Sequence, residues 1–189
     1  MKTSLKALLA VTCFLYVYST KSIAQIKIIT TDADLQINDG SLMFRPSKYV
    51  HSLDSLAMIL KKSPTDTAAL FEHSFFLYRT NNVMAKPHPN AASLANLKKA
   101  SAEADSAYKH SMKDFKLKIL RARIFTSLAN QYLSDESWTF KPDQIRIRRN
   151  QFNAYKDQAN LELDKLATLD SRNAYLYQKV KVKENYPIK

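Results

Sequence analysis

Between Ala91 and Leu133 apolar residues recur at helical spacing, with a single interruption. Leu94, Leu97, Ala100, Ala104, Ala107, Tyr108 and Met112 lie three or four residues apart, and Lys98, Lys99, Glu103 and Asp105 fall between them. That pattern predicts an amphipathic helix with one apolar stripe. Leu117, Leu120, Ile124 and Leu128 repeat the stripe in a second helix. At about 100° per residue, Lys116 and Arg123 flank it on one side, Lys118 and Arg121 on the other. The break is Ser111-Met112-Lys113-Asp114. Ser111 is expected to cap the second helix there, with Asp114 three residues on, as in a capping box.

Similar joints divide the rest of the chain. Val50, Leu53, Ala57 and Leu60 give a first helix, which ends near Lys61-Lys62, where cations suit the helix dipole. Ser63-Pro64-Thr65-Asp66 supplies a cap, a proline for the first helical position and an acid for the first turn. The helix expected over Thr67 to Arg79 is apolar on most sides (Ala69, Leu70, Phe71, Phe75, Phe76, Leu77), so it belongs at the centre of the core. Thr80 to Asn90 reads as a loop, since Pro87 and Pro89 block helix. Ser134 to Lys141 reads as another. Pro142-Asp143 opens a long helix through Ile145, Phe152, Tyr155, Ala159, Leu163 and Leu166. Asp170 is expected to cap a last helix with Leu176, Tyr177 and Val180 inward, stopped by Asn185-Tyr186-Pro187. Near the start, Ile26 to Thr31 has the composition of a short strand without a clear partner, and Asn38-Asp39-Gly40 marks a turn. Residues 25–47 are therefore read as an extended N-terminal arm.

Composition narrows the fold class. In 189 residues there is one glycine, Gly40. Glycine supplies the positive-φ positions of hairpin turns, so its scarcity argues against a many-stranded β fold. The expectation is all-α, with about six helices in three antiparallel pairs.

Residues 1–24 have the form of a signal peptide: Lys2 and Lys6, an apolar run from Ala7 to Tyr18, and Ser22-Ile23-Ala24 for cleavage after Ala24. The run is short of the roughly 20 residues that span a bilayer. Lipidation at Cys13 is disfavoured, because Ala10-Val11-Thr12 matches a lipobox poorly and apolar residues continue beyond it. Cleavage would remove the one cysteine, and with it any disulfide or thiolate site. It would also remove three of 29 basic residues and no acid, leaving 26 against 17, or +9. In a periplasmic or secreted protein such charge favours anionic envelope surfaces over nucleic acid as a partner, or simply a solvated surface. The absence of an Asn-x-Ser/Thr sequon fits a bacterial source.

No chemistry stands out. His51, His73, His88 and His110 include no i, i+4 pair for a metal, and there is neither a Gly-rich phosphate loop nor a Gly-x-Ser-x-Gly. His73 is read as a hydrogen-bonded core residue, and Glu103 and Asp105 as a wet helix face. An enzyme, a cofactor and a metal are not expected. Trp138 and Phe140 are read as an aromatic plug, with a ligand-facing patch as the alternative. Lys113, Lys116, Lys118, Arg121 and Arg123 make the densest basic cluster, read as cationic stems snorkelling beside the apolar stripe. Arg146, Arg148 and Arg149 at a helix start oppose its dipole and are less easily explained. The candidate partner-binding residues are Arg146, Arg148, Arg149, Lys118, Arg121 and Trp138.

The joints resemble those of tetratricopeptide repeats. Asp170-Ser171-Arg172-Asn173-Ala174 is similar to that family's acid-Pro-x-Asn turn followed by alanine, with Ala159, Leu163 and Leu166 at its upstream positions. Ser63-Pro64-Thr65-Asp66 keeps the proline; Ser74 and Leu77 after that joint, and Ala122 and Phe125 after the next, stand at the family's small and aromatic positions. The joints at 63, 111 and 170 lie 48 and 59 residues apart, against the family's roughly 34. Over 48–184, with 185–189 as a tail, the resemblance implies either a right-handed stack of helix pairs or a small bundle. It further implies a surface that binds a protein or peptide. The alternative is a peripheral binder of an anionic envelope polymer or lipid surface.

Overall fold

The computed structural model describes residues 27–39, 45–84 and 91–187. The expected signal peptide, and the part of the proline loop from 85 to 90, lie outside them. The protein is all-α, with six helices among the described residues, α1 (Val50–Lys62), α2 (Thr67–Met84), α3 (Ala91–Lys109), α4 (Phe115–Leu133), α5 (Pro142–Leu169) and α6 (Ala174–Lys179); short 3-10 turns precede α1, α5 and α6. Each packs on the next in sequence. No helix among the described residues is long and apolar enough to cross a membrane.

α2 lies at the centre. Phe75 and Phe76 have no exposed surface, and Leu70, Phe71 and Tyr78 are buried with them. On α3 the buried positions Leu97, Ala100, Ala104 and Ala107 keep the spacing read from the sequence. Small residues let the two helices approach closely: Ser74 is fully buried and its Oγ donates to the Ala100 carbonyl at 2.7 Å. α4 buries a wider face than its stripe predicts, adding Ile119, Ala122, Ala129 and Tyr132, because it packs against both α3 and α5. Burying each such leucine or isoleucine stabilises the fold by about 1.5–3 kcal/mol.

The joints differ in detail from expectation. Ser111 does not start α4; it stops α3. Its φ is 76°, and Met112 N–H donates to the Ala107 carbonyl (3.0 Å) while Ser111 N–H donates to that of Tyr108 (3.2 Å). That is a Schellman stop with serine where glycine is usual. Asp114 caps α4, accepting from Lys116 N–H at 2.7 Å. Likewise Ser63 ends α1, and the side chain of Asp66 accepts from Ala69 N–H at the start of α2. α2 also runs five residues further than Arg79, to Met84, because nothing before Pro87 prevents helix.

Within the N-terminal arm, residues 28–37 form a hairpin. β1 (Ile28–Thr31) pairs antiparallel with β2 (Asp34–Ile37), Ile28 opposite Ile37. The partner missing from the sequence reading follows directly after the strand. Its turn, Asp32-Ala33, has φ of 47° and 61°, the two positive values of a type I′ hairpin, reached without glycine. Ile28, Ala33 and Leu35 are buried, and Arg123 holds the turn by donating to the Ala33 carbonyl at 3.0 Å.

At the other end α6 is shorter than expected and stops at Lys179. Asp170 gives no backbone cap; its carboxylate gathers Asn173 Nδ2 (2.9 Å) and the Tyr177 hydroxyl (3.0 Å). Beyond α6 the chain is a non-helical strap along α5. Asn160 both donates to the Val182 carbonyl and accepts from its N–H, each at 3.0 Å, and Lys156 donates to the Glu184 carbonyl at 2.5 Å. Those side chains stand in for the backbone bonds that a longer helix would have supplied.

Candidate binding site

The strap, the end of α4 and the first turns of α5 enclose a second, smaller core of Ala129, Tyr132, Phe152, Val182 and Tyr186. Its rings pack edge-on or tilted: Tyr132 and Tyr186 at 6.5 Å, Phe152 and Tyr186 at 6.1 Å. One polar group is held within it. Asp135 follows α4 by two residues, and its side chain is 3% exposed. Its Oδ2 accepts from Arg148 Nε at 2.5 Å and from the Tyr186 hydroxyl at 3.1 Å. The Arg148 guanidinium lies over the rings of Phe140 (4.7 Å) and Tyr132 (5.0 Å). Burial alone would lower its pKa, but the hydrogen bond and charge of Asp135 prevail and hold it above its ordinary value. Removing one member of such a pair costs more than the pair contributes, because the other charge is left buried.

Why these groups meet follows from the local chain. α4 closes at Ser134 and the chain makes a 3-10 turn, Ser137–Thr139. Lys141 N–H then donates to the Gln144 side chain at 2.9 Å, and Pro142 opens α5. Arg148, less than two turns in, points back at Asp135.

Against this pair lies a cavity of about 530 Å³, walled by Leu94, Tyr132 and Phe140 on its apolar side and by Gln131, Asp135 and Arg148 on its polar side. Asp135 Oδ1 and Gln131 Oε1 are buried, and neither has a hydrogen-bond partner among the described residues. A buried acceptor left unsatisfied costs about 1–3 kcal/mol. Both residues belong to the cavity wall, but these two oxygens lie behind it, out of reach of a water-sized molecule.

The six residues singled out from the sequence do not form one site. Arg148 is in the cavity wall. Trp138 lies on the 3-10 turn whose neighbour Thr139 lines the cavity, and it is 80% exposed, which corrects the plug reading: the turn presents the ring outward, and Phe140 alone packs inward, under Arg148. Arg149 donates to the Tyr186 carbonyl at 3.2 Å and so ties the strap to α5. Arg146 is on the surface, 3.3 Å from Asp143. Lys118 lines a separate hollow of about 290 Å³ with Glu162, Lys165 and Leu166. Arg121 is ion-paired with Asp105 (3.0 Å) and Glu162 (3.6 Å).

The snorkelling reading of the basic cluster needs a correction too. Arg121 and Arg123 turn their heads inward, with side chains only 14% and 16% exposed, and Lys113 lies 3.8 Å from the centre of the Tyr108 ring. The wet-face reading of α3 fails for Glu103, which hydrogen-bonds to buried His73 Nδ1 at 2.7 Å. Sequence reasoning missed Asp135 and Gln131. The one available signal was an acid in a loop rich in aromatic residues. Among the described residues, no three of His, Cys, Asp and Glu gather as ligands for one metal ion.

Comparison with protein-family models, with curated proteins and with solved structures returns no match.

Proposed function

We propose that this protein is a helical scaffold that binds a peptide or protein partner in the cavity between α3, the end of α4 and α5. It performs no chemistry of its own. One observation carries the reading: the cavity has an apolar wall of Leu94, Tyr132 and Phe140 and a polar wall of Gln131, Asp135 and Arg148. Pockets of a few hundred Å³ with apolar walls and a few fixed polar groups are the usual form of a ligand site. The resemblance of the joints to tetratricopeptide repeats supports a binding role, as that family's helix pairs present surfaces to partners. The N-terminal pattern supports a periplasmic or secreted location. Mass analysis of the exported chain should then show that residues 1–24 are gone.

The test is partner capture from envelope extract at low and high salt, using the mature chain and a blocked variant. Ala91 is exposed and lines the cavity, so Ala91→Trp fills it without touching the core. A partner retained in high salt and lost with Ala91→Trp supports the scaffold. A partner indifferent to Ala91→Trp rules out this cavity.

A second reading, binding to an anionic lipid surface, has one observation in its favour. Trp138 (80% exposed), Ile147 (54%) and the Arg146 side chain (72%) provide an exposed ring, an aliphatic chain and a cation around the start of α5. Such binding weakens as salt screens the charge. Because Arg148 and Arg149 hold the fold, Arg146→Ala is the clean variant. It should release the protein from anionic vesicles under this reading and leave cavity binding unchanged under the first.

A further inference from the structure

We infer that the hollow between the start of α4 and the end of α5 takes a single-chain anionic amphiphile of the fatty-carboxylate type. It is a second site, separate from the cavity: Leu169 lies 21 residues after Arg148 on one helix, roughly 30 Å at 1.5 Å per residue. Lys118 comes from α4, and Glu162, Lys165, Leu166, Thr168 and Leu169 come from α5. The lining matches both ends of such a ligand. Its apolar part is Leu166 with Leu169, which is 61% exposed. Two turns back on the same helix Leu161 is exposed as well. Single exposed leucines are ordinary, but here one borders a hollow. At about 290 Å³ the hollow stands at the lower end of small-ligand pockets, roughly 300–1,000 Å³, which suits one unbranched chain.

Charge complementarity sets the head group. Lys113, Arg121 and Lys118 gather around one ring, at 3.8, 4.8 and 5.8 Å from the centre of Tyr108. Arg121 faces Asp105 and Glu162, and Lys165 lies 3.2 Å from Glu162, so the one acid in the wall already has two cations. Lys113 donates to the Tyr108 carbonyl at 3.4 Å. Lys118 differs: it is half-buried, and its ammonium has neither a hydrogen bond nor an ion pair among the described residues. In this group four bases (Lys113, Lys118, Arg121, Lys165) stand against two acids (Asp105, Glu162), a local balance of +2. The Lys118 ammonium rides on a flexible four-carbon stem and can turn to a carboxylate without moving α4. An extended peptide would bring main-chain groups that need partners, whereas a wall made of two helices uses most of its own main chain internally. An alkyl chain brings none.

Calorimetric titration of the full mature chain with decanoate, butyrate and decyltrimethylammonium tests this. Decanoate should bind, and butyrate roughly tenfold or more weakly, since each methylene taken out of water adds to affinity. Decyltrimethylammonium, with the same chain and the opposite charge, should also bind roughly tenfold or more weakly than decanoate, lacking the charge-assisted hydrogen bond. Lys118→Gln should weaken decanoate by roughly fivefold to tenfold, and Lys118→Arg should keep its affinity within about twofold, because charge is what Lys118 supplies. Leu169→Ser, at a mostly exposed position that leaves the fold intact, should cost roughly threefold. Decanoate binding unchanged in Lys118→Gln, or equal binding of the two ten-carbon probes, would overturn the anion assignment. Butyrate binding as tightly as decanoate would overturn the apolar one, and binding of no probe would overturn both. Ala91→Trp blocks the other cavity and should leave decanoate unaffected; loss of decanoate in that variant would place it there and overturn the inference, while partner capture tests the cavity separately.

Discussion

Where α2 and α3 meet, the buried side chains of His73 and Ser74 have partners; beside the strap, Asp135 Oδ1 and Gln131 Oε1 have no hydrogen-bond partner among the described residues. In the first region His73 is closed against Glu103, and Ser74 against the Ala100 carbonyl. The rest of that interior is leucine, isoleucine, alanine and phenylalanine, with Tyr78. In the second, aromatic rings surround a carboxylate with one oxygen accepting two hydrogen bonds and the other buried with none among the described residues. Both regions are well packed, so packing does not distinguish them. The hydrogen-bond account does: it closes at His73 and Ser74 and stays open at Asp135.

Substitutions should separate the two regions by size and by reach. Phe75→Ala, at the fully buried centre of α2, should cost about 3–5 kcal/mol and lower the whole denaturant transition together. Asp135→Asn removes the charge facing Arg148 and should cost about 1–3 kcal/mol. Hydrogen exchange should show that loss concentrated in the strap, at Val182 to Tyr186, while α2 and α3 amides stay protected. Equal loosening of both regions would erase the distinction.

Alkaline pH offers a third probe. Burial pushes the phenols of Tyr132, Tyr155 and Tyr186 above their ordinary range, and for Tyr186 the hydrogen bond to Asp135 adds to it. The stability these groups contribute is intact below about pH 10, their unfolded value. It is lost as pH rises through the folded values, because the unfolded chain gives up its protons first. Phenolate absorbance and exchange, followed together above pH 10, should show the strap loosening before the α2–α3 core. The smallest effect is expected at Ser111→Gly: relief of a positive φ at an exposed stop, about 1 kcal/mol of added stability, with the cavity unaffected.

The same division decides what could be read from the sequence. Leu97, Ala100, Ala104 and Ala107 were legible because a helix with one buried face repeats at a fixed period. Phe75 and Phe76 were legible because an all-round apolar helix has to be central. The joints were located correctly but assigned to the wrong residues. Ser111 and Asp114 both carry side chains that cap helices, and only the backbone shows that Ser111 takes positive φ. The partner strand Asp34–Ile37 was hidden because its turn uses Asp32-Ala33 in place of the glycine that usually marks one. Glu103 and Asp135 were misread or missed for a common reason. A buried acid leaves no periodic trace, since its partner is distant in sequence: His73 is thirty residues away and Tyr186 fifty-one. Of the six candidate residues, Arg148 alone stands in the cavity wall, and the clue to it was that its charge opposed the helix dipole.

Trp138 has an optical consequence. It is the chain's single tryptophan, largely exposed on the turn that borders the cavity, while phenylalanine and tyrosine lie in the interior. Its emission is therefore that of a solvated indole already in the folded protein, and changes little when the α2–α3 core melts. It is placed to change colour when something settles over the turn. The molecule is nearly blind to its own unfolding by that signal and carries its one bright reporter at the mouth of its candidate site.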